Sequence, residues 1–262
     1  MRRRPTIFPR LAKVLLASLL LTFPARADGG PTASLPLSAP VRSADDYYLG
    51  RQNLGNLHRG LQFLRERVAK EPADYEAWWR IAKFVSYLAR HTPDDDKLKV
   101  LPEGVAAGRR AVALAPTRVE GHFWLGANLG LTAEEENFLR GISLIDNIRR
   151  EMEIVNQIGP DYEQASGLRT LARVDFRAPF FKGGNKRRSV DLLEKCLTRY
   201  PDNSLTMLYL AESYLAVGLR DEARKKLEGI LTLCPDPVYG PELADNQTEA
   251  RRMLAEEFHT GK

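Results

Sequence analysis

The sequence predicts an all-α fold, a superhelix of helical hairpins stacked one on the next. Two observations predict it. Five similar phrases end in proline, VAKEP at Pro72, VALAP at Pro116, NQIGP at Pro160, LTRYP at Pro201 and LTLCP at Pro235, spaced 44, 44, 41 and 34 residues apart. A period in this range marks a repeat whose unit is one supersecondary element. Between these prolines apolar residues recur at helical spacing, and no stretch alternates apolar and polar over strand length.

The last unit is the most regular. Residues 204–237, SLTMLYLAESYLAVGLRDEARKKLEGILTLCPDP, make 34 residues with the tetratricopeptide layout of two helices and a terminal proline. With Pro235 as repeat position 32, Leu210, Ala211 and Tyr214 take positions 7, 8 and 11, and Ala223 and Leu227 take positions 20 and 24. These are the small and large slots that two antiparallel helices need to approach closely. Gly218 ends the first helix, and DEA opens the second with acids at its positive end.

Earlier units fit once an insertion is allowed between their two helices. DYEAWWRIAKFVSYLARH places Trp78, Ile81, Ala82 and Val85 on one face, and GVAAGRRAVALAP follows with Gly104, Gly108 and Ala111 at small positions. EGHFWLGANLGL puts Leu125 and Gly126 in the equivalent slots, and ISLIDNIRREMEIVNQIGP is a long amphipathic helix. The expected insertions are TPDDDKLKVLP, the region near LTAEEENFLRG, and RAPFFKGGN. An N-terminal LGNLHRGLQFLRERVAKEP supplies one more second helix, and NQTEARRMLAEEFH caps the stack. The expectation is a TPR-like helical-hairpin superhelix of about four repeats over residues 45–262.

Residues 1–27 read as a secretory signal. MRRRPTIFPRLAK is basic, VLLASLLLTF is a ten-residue apolar run, and Ala25-Arg26-Ala27 precedes Asp28. The run is too short for a spanning helix, which takes about 20 residues. No cysteine lies near the cleavage site, so the expected export is to the periplasm without a lipid anchor. Residues 28–44, rich in Pro, Gly and Ser, read as a flexible leader. Removing the signal takes six of the 39 basic residues and none of the 34 acidic ones, leaving 33 against 34. The overall +5 is largely a property of the signal, and the remaining balance does not suggest a basic face for nucleic acid; RRAVAL and NKRRS read as short local clusters on solvated helix faces.

Stacked hairpins form a concave surface lined mainly by the first helix of each pair. Register places Glu76, Trp79, Lys83, Ser86 and Tyr87 there in the first full unit, Glu120, Phe123 and Ala127 in the second, and Leu205, Leu208, Glu212 and Leu215 in the last. Trp78 and Trp79 point about 100° apart on a helix, so one is core and the other, Trp79, is assigned to the groove. Arg169 and Arg173, one turn apart, either hold a carboxylate of a ligand or pair with acids on neighbouring helices. Phe180 and Phe181 sit in APFFKGGN, which either folds over one end of the groove or plugs the stack. The expected binding residues are therefore Trp79, Tyr87, Phe123, Arg169, Arg173, Phe180, Phe181, Leu208 and Glu212.

The inventory for chemistry is thin. His58, His91, His122 and His259 lie far apart, none in metal-ligand spacing with a carboxylate or cysteine. His122 falls in a core slot, which suits a satisfied buried histidine. No nucleophile elbow and no phosphate loop is present. The expectation is a non-enzymatic protein without metal or cofactor. Cys196 and Cys234 take positions a turn apart on consecutive second helices. An oxidising compartment permits a disulfide, but its geometry is strict, and Cys196 suits a small buried hydrophobe.

The strings EGHFWLGANLG and IRREMEIVNQIGPDYEQASGLRTLARVDFRAPFFKGGNKRRSVDLLEKCLTRYPDNSLTMLYLAESYLAVGLRDEA resemble a bacterial tetratricopeptide family similar to the TatT component associated with TRAP transporters. The resemblance covers roughly residues 45–235. It implies an all-helical periplasmic protein that partners a solute-binding protein or handles a small hydrophobic ligand. The chain departs from lipoprotein members by lacking the lipid-bearing cysteine. A weaker similarity runs to the microtubule-dynamics regulator proteins of eukaryotes and is set aside because of the secretory leader. The alternative to ligand handling is a structural scaffold of envelope assembly that binds protein through its convex face or loops.

Overall fold

The computed structural model describes residues 44–258, so the expected signal and nearly all of the leader lie outside the described residues. These fold as eleven α-helices and one 3-10 turn, with no strand among them. A short α1 (Ala44–Leu49) leads into α2 (Leu54–Lys70). Four antiparallel hairpins follow: α3 (Tyr75–Arg90) with α4 (Asp94–Leu114), α5 (Val119–Glu135) with α6 (Phe138–Ile158), α7 (Ser166–Arg177) with α8 (Lys186–Arg199), and α9 (Ser204–Ala216) with α10 (Arg220–Thr232). The closing α11 (Gly240–Phe258) packs on α9 and α10. The all-α hairpin superhelix expected from the sequence is the fold observed.

The repeated prolines mark the joints. At Pro72, Pro116 and Pro201 a second helix ends just before the proline, and a new first helix starts just after it. At the Pro72 and Pro201 joints the residues between carry a side-chain cap, while Arg118 at the Pro116 joint makes none. Asp74 accepts from Ala77 N at 3.0 Å and Asn203 from Thr206 N at 2.8 Å. Each such cap satisfies an orphan donor and contributes about 1 kcal/mol. The core runs in two blocks, one through α1 to α6 around Leu57, Leu61, Ile81, Phe84, Leu125 and Met152, the other through α7 to α11 around Leu193, Leu210, Leu227 and Ile230. Fully burying each large side chain stabilises by about 1.5–3 kcal/mol. Small residues let the helices meet. A Cβ on Gly108 would stand 2.7 Å from Leu125 Cα, so α4 and α5 touch backbone to backbone there.

Two of the three expected insertions are not loops. TPDDDKLKVLP is the start of α4, and LTAEEENFLRG is the end of α5, a short turn and the start of α6. Pro102 lies inside α4. Its ring removes one hydrogen bond of a helix that carries Asp94, Asp95 and Asp96 in its first turn, where the helix dipole favours acids. Lys97 bridges Asp94 at 3.1 Å and Glu135 at 2.8 Å, tying the two lengthened helices together. Only RAPFFKGGN is an irregular connection, with the 3-10 turn at Phe180–Lys182.

The tryptophan assignment is also corrected. Trp79 is buried in the core, with its indole N–H donated to Glu76 Oε2 at 2.9 Å and Arg80 over its ring at 4.2 Å. Trp78 is the half-buried one and donates to Pro72 O at 3.0 Å. Register within one helix does not reveal that Arg80 covers the Trp79 ring while Glu76 takes its N–H.

Candidate functional site

The concave side holds a pocket of about 750 Å³. Its walls come from the first helices, with Lys83, Ser86, Tyr87 and Arg90 on α3, Phe123 and Trp124 on α5, Arg169 on α7 and Leu205 on α9. The remaining side is the C-terminal segment, Leu233 to Tyr239, together with Glu242, Leu243 and Asn246 of α11. That segment reaches back to the first described helices. Arg51, whose side chain is 1% exposed, donates Nε to Glu242 Oε1 at 2.9 Å and also pairs with Glu242 Oε2. Arg51 donates further to Val238 O and to Tyr48 O, the latter at 3.0 Å. Tyr239 Oη donates to Glu163 Oε2 at 2.9 Å, and His91 Nε2 meets Asp245 Oδ2 at 3.2 Å. The two ends of the superhelix are thus fastened across the groove.

Aromatic faces and cations alternate on the floor. Lys83 Nζ lies 4.4 Å from the Tyr48 ring centroid and 5.4 Å from that of Trp124, and it reaches Glu163 Oε1 at 3.3 Å. Burial pushes the Tyr87 hydroxyl up to about 12, so it stays protonated. Trp124 Nε1 donates to Tyr162 Oη at 2.9 Å.

A strained turn shapes the wall between α6 and α7. Glu163, Gln164 and Ala165 have φ of 46, 57 and 58°, three successive left-handed residues without a glycine. Each costs about 1–2 kcal/mol. Arg169 holds the turn, with NH1 donating to Gln164 O at 2.9 Å and NH2 to Glu163 O at 3.3 Å. NH1 also lies 3.5 Å from Thr206 Oγ1. Arg169 is 8% exposed and has no carboxylate within ion-pair distance among the described residues, and burial pulls its pKa down. Strain of this kind persists where the surroundings over-determine it, commonly at ligand sites. At the rim, exposed Arg90 has neither hydrogen bond nor ion pair from its side chain among the described residues.

The structure brings Tyr87, Phe123 and Arg169 together at this pocket and leaves the other expected binding residues elsewhere. Arg173 pairs with Glu212 of α9 and stacks over Tyr209 at 4.2 Å, so Arg173 and Glu212 occupy each other. Leu208 is buried in the second core block and Trp79 in the first. Phe180 and Phe181 stand exposed on their loop, which neither lines this pocket nor plugs the stack. The closing element is instead the segment after Pro235. Sequence reasoning missed Tyr48, Arg51, Glu163, Tyr239 and Glu242. Asp236-Pro237 signals a turn there, but nothing in DYEQAS signals a left-handed turn. Cys196 and Cys234 are both free, the first buried and the second exposed on the pocket wall. His122 is buried between Glu151 Oε2 at 2.6 Å and Pro116 O at 2.9 Å. Among the described residues no cluster of His, Cys, Asp or Glu is placed to hold a metal ion, and no helix is long and apolar enough to cross a membrane.

A tetratricopeptide-repeat family model matches residues 180–203, across the α7–α8 turn and α8. The structure superposes on that of TTC0263, described as a thermophilic TPR protein in Thermus thermophilus, with a TM-score of 0.60 at 18% identity over 81% of this chain and 99% of that one. The fold is the tetratricopeptide-repeat superhelix. A second similar structure is PilW, described as a widely conserved type IV pilus biogenesis factor, with a TM-score of 0.54 at 15% identity over 84% of this chain and 92% of that one. The family model described as Regulator of microtubule dynamics protein 1-3 matches residues 41–169. This is the similarity set aside at the sequence level, and of the two matched stretches it is the longer. No curated protein matches the chain.

Proposed function

We propose that this chain is a non-enzymatic periplasmic TPR protein that binds, in its concave pocket, a partner segment or small ligand carrying both an acidic and an apolar group. The observation that carries the reading is Arg169, a buried guanidinium in the pocket wall without a carboxylate partner. A buried cation without a counter-charge is costly, and an incoming anion offsets that cost. Arg90 at the rim adds a second unpaired cation, and Tyr87, Phe123 and Trp124 supply apolar faces. This mixture favours an amphipathic ligand over a purely apolar one. The fold supports binding because stacked helical hairpins present an extended concave surface to partners.

The compartment in this reading rests on the sequence pattern of residues 1–27, and a link to a TRAP-type transporter rests on the family resemblance. Native mass spectrometry of the protein taken undenatured from its host's periplasm tests the reading. The expected result is a bound acidic species or partner whose occupancy falls in Arg90→Glu and Phe123→Ala. A bare chain under those conditions, or occupancy unchanged in both variants, overturns it.

A further inference from the structure

The segment 178–185 presents two aromatic rings to solvent on a rigid base. Phe180 is 86% and Phe181 61% exposed, their ring centroids 5.9 Å apart and edge to face. Nothing in the loop is slack. Asp175, 1% exposed, accepts Arg149 NH1 at 2.6 Å and Arg188 NH2 at 2.6 Å, and its backbone carbonyl accepts Asn185 N at 2.7 Å. Arg149 NH2 and Arg188 NH2 then donate to Gly183 O at 3.2 and 3.0 Å. Gly183 has φ of +77°, and a Cβ on Gly184 would stand 1.9 Å from Ala178 O. The chain is therefore built to hold this turn, and the turn keeps both rings off the protein.

The surroundings are cationic. Lys182, Lys186, Arg187, Arg188 and Arg149 belong to the loop, to the start of α8 and to the α6 residues that brace it, against the carboxylates of Asp146, Asp175 and, one turn along α8, Asp191. Asp146 is taken by Lys182 at 2.7 Å and Asp175 by the two arginines. Lys186 and Arg187 are exposed and have no ion pair among the described residues. The positive end of α8 adds to the potential at the same place. Exposed aromatic rings beside unpaired cations match a surface that is anionic outside and apolar just beneath. That is the profile of an anionic lipid bilayer, where rings enter the headgroup boundary and basic residues meet the phosphates.

We infer that the Phe180–Phe181 loop docks the protein on an anionic membrane surface, separately from the pocket. The test is flotation of the protein, as its own host processes it, with two kinds of vesicle. One is pure phosphatidylcholine, the other equal parts phosphatidylcholine and phosphatidylglycerol. Binding to the anionic vesicles alone is expected, falling about tenfold in the double variant Phe180→Ser, Phe181→Ser and comparably in Lys186→Glu, Arg187→Glu. Added salt should weaken it. All four side chains are exposed, so circular dichroism should show the fold intact in both variants. No flotation, or flotation unchanged in both variants, overturns the inference. A loss of self-association by light scattering in the phenylalanine variant, with no vesicle binding by the parent, overturns it in favour of a second copy on the patch.

Discussion

Arg51 and Glu242, 191 residues apart, form a two-pronged ion pair that fastens the two ends of the superhelix across its concave face. The pair turns an open groove into a walled pocket. Because Arg51 is 1% exposed while Glu242 keeps partial contact with water, removing the acid strands a buried charge. Glu242→Ala should cost about 3 kcal/mol in denaturant unfolding, and Arg51→Met with Glu242→Leu should recover most of that loss. Hydrogen exchange should accelerate at residues 233–243 in the single variant. Unchanged exchange there would show that the ends are held by something else.

His122 gives a pH dependence with a definite sign. Its two ring nitrogens face a carboxylate and a carbonyl, both of which only accept, so the geometry calls for the imidazolium. The hydrogen bond to Glu151 raises its pKa above the ordinary 6.5. His91, between Tyr87 O and Asp245, is raised for the same kind of reason. A group raised on folding stabilises fully below its unfolded pKa, and the contribution disappears as pH climbs through the folded value. Stability from these two residues should be complete below about 6.5 and fall above it, measured as the denaturant midpoint against pH. Glu151→Gln should flatten the His122 part of that slope.

Two glycines should respond in opposite directions to alanine. Gly108→Ala forces a Cβ against the Leu125 backbone, which cannot rotate away, and should cost about 1–3 kcal/mol. Gly130 in α5 has nothing within 4 Å of its would-be Cβ, so Gly130→Ala should gain about 1 kcal/mol from helix propensity. Thermal melts of the two variants decide it.

The cysteines should differ in reactivity. Cys234 is exposed, and Cys196 is buried with its thiol pKa pushed up by burial. One equivalent of maleimide should attach quickly at Cys234, and a second only on unfolding. Since Cys234 lines the pocket, an occupant should slow that first reaction.

Much of the fold was legible because its determinants are local. Prolines at the joints, Ala82, Ala211 and Ala223 in the small slots, and helical spacing of apolar residues each speak within one hairpin. The lengthened helices were not, because Pro102 and the run Asp94–Asp96 resemble a loop, although acids at a helix start and an exposed proline are compatible with helix. Single-helix register located Tyr87 and Phe123 but misplaced Trp79, whose ring is covered by Arg80 and whose N–H is taken by Glu76. The pocket itself depends on contacts such as Arg51–Glu242 and Tyr239–Glu163, which couple residues far apart in sequence. The left-handed turn at 163–165 had no compositional signal, since none of its residues is glycine.

Site-specific photo-crosslinking in living host cells would show whether the concave pocket is the binding face. A photoreactive phenylalanine analogue would replace Leu205 in the pocket wall in one strain, and Lys195 on the exposed side of α8 in another. The expected result is an adduct, read by mass, from position 205 and none from position 195. An adduct from 195 alone would contradict the pocket reading and make the outer face of the superhelix the binding surface.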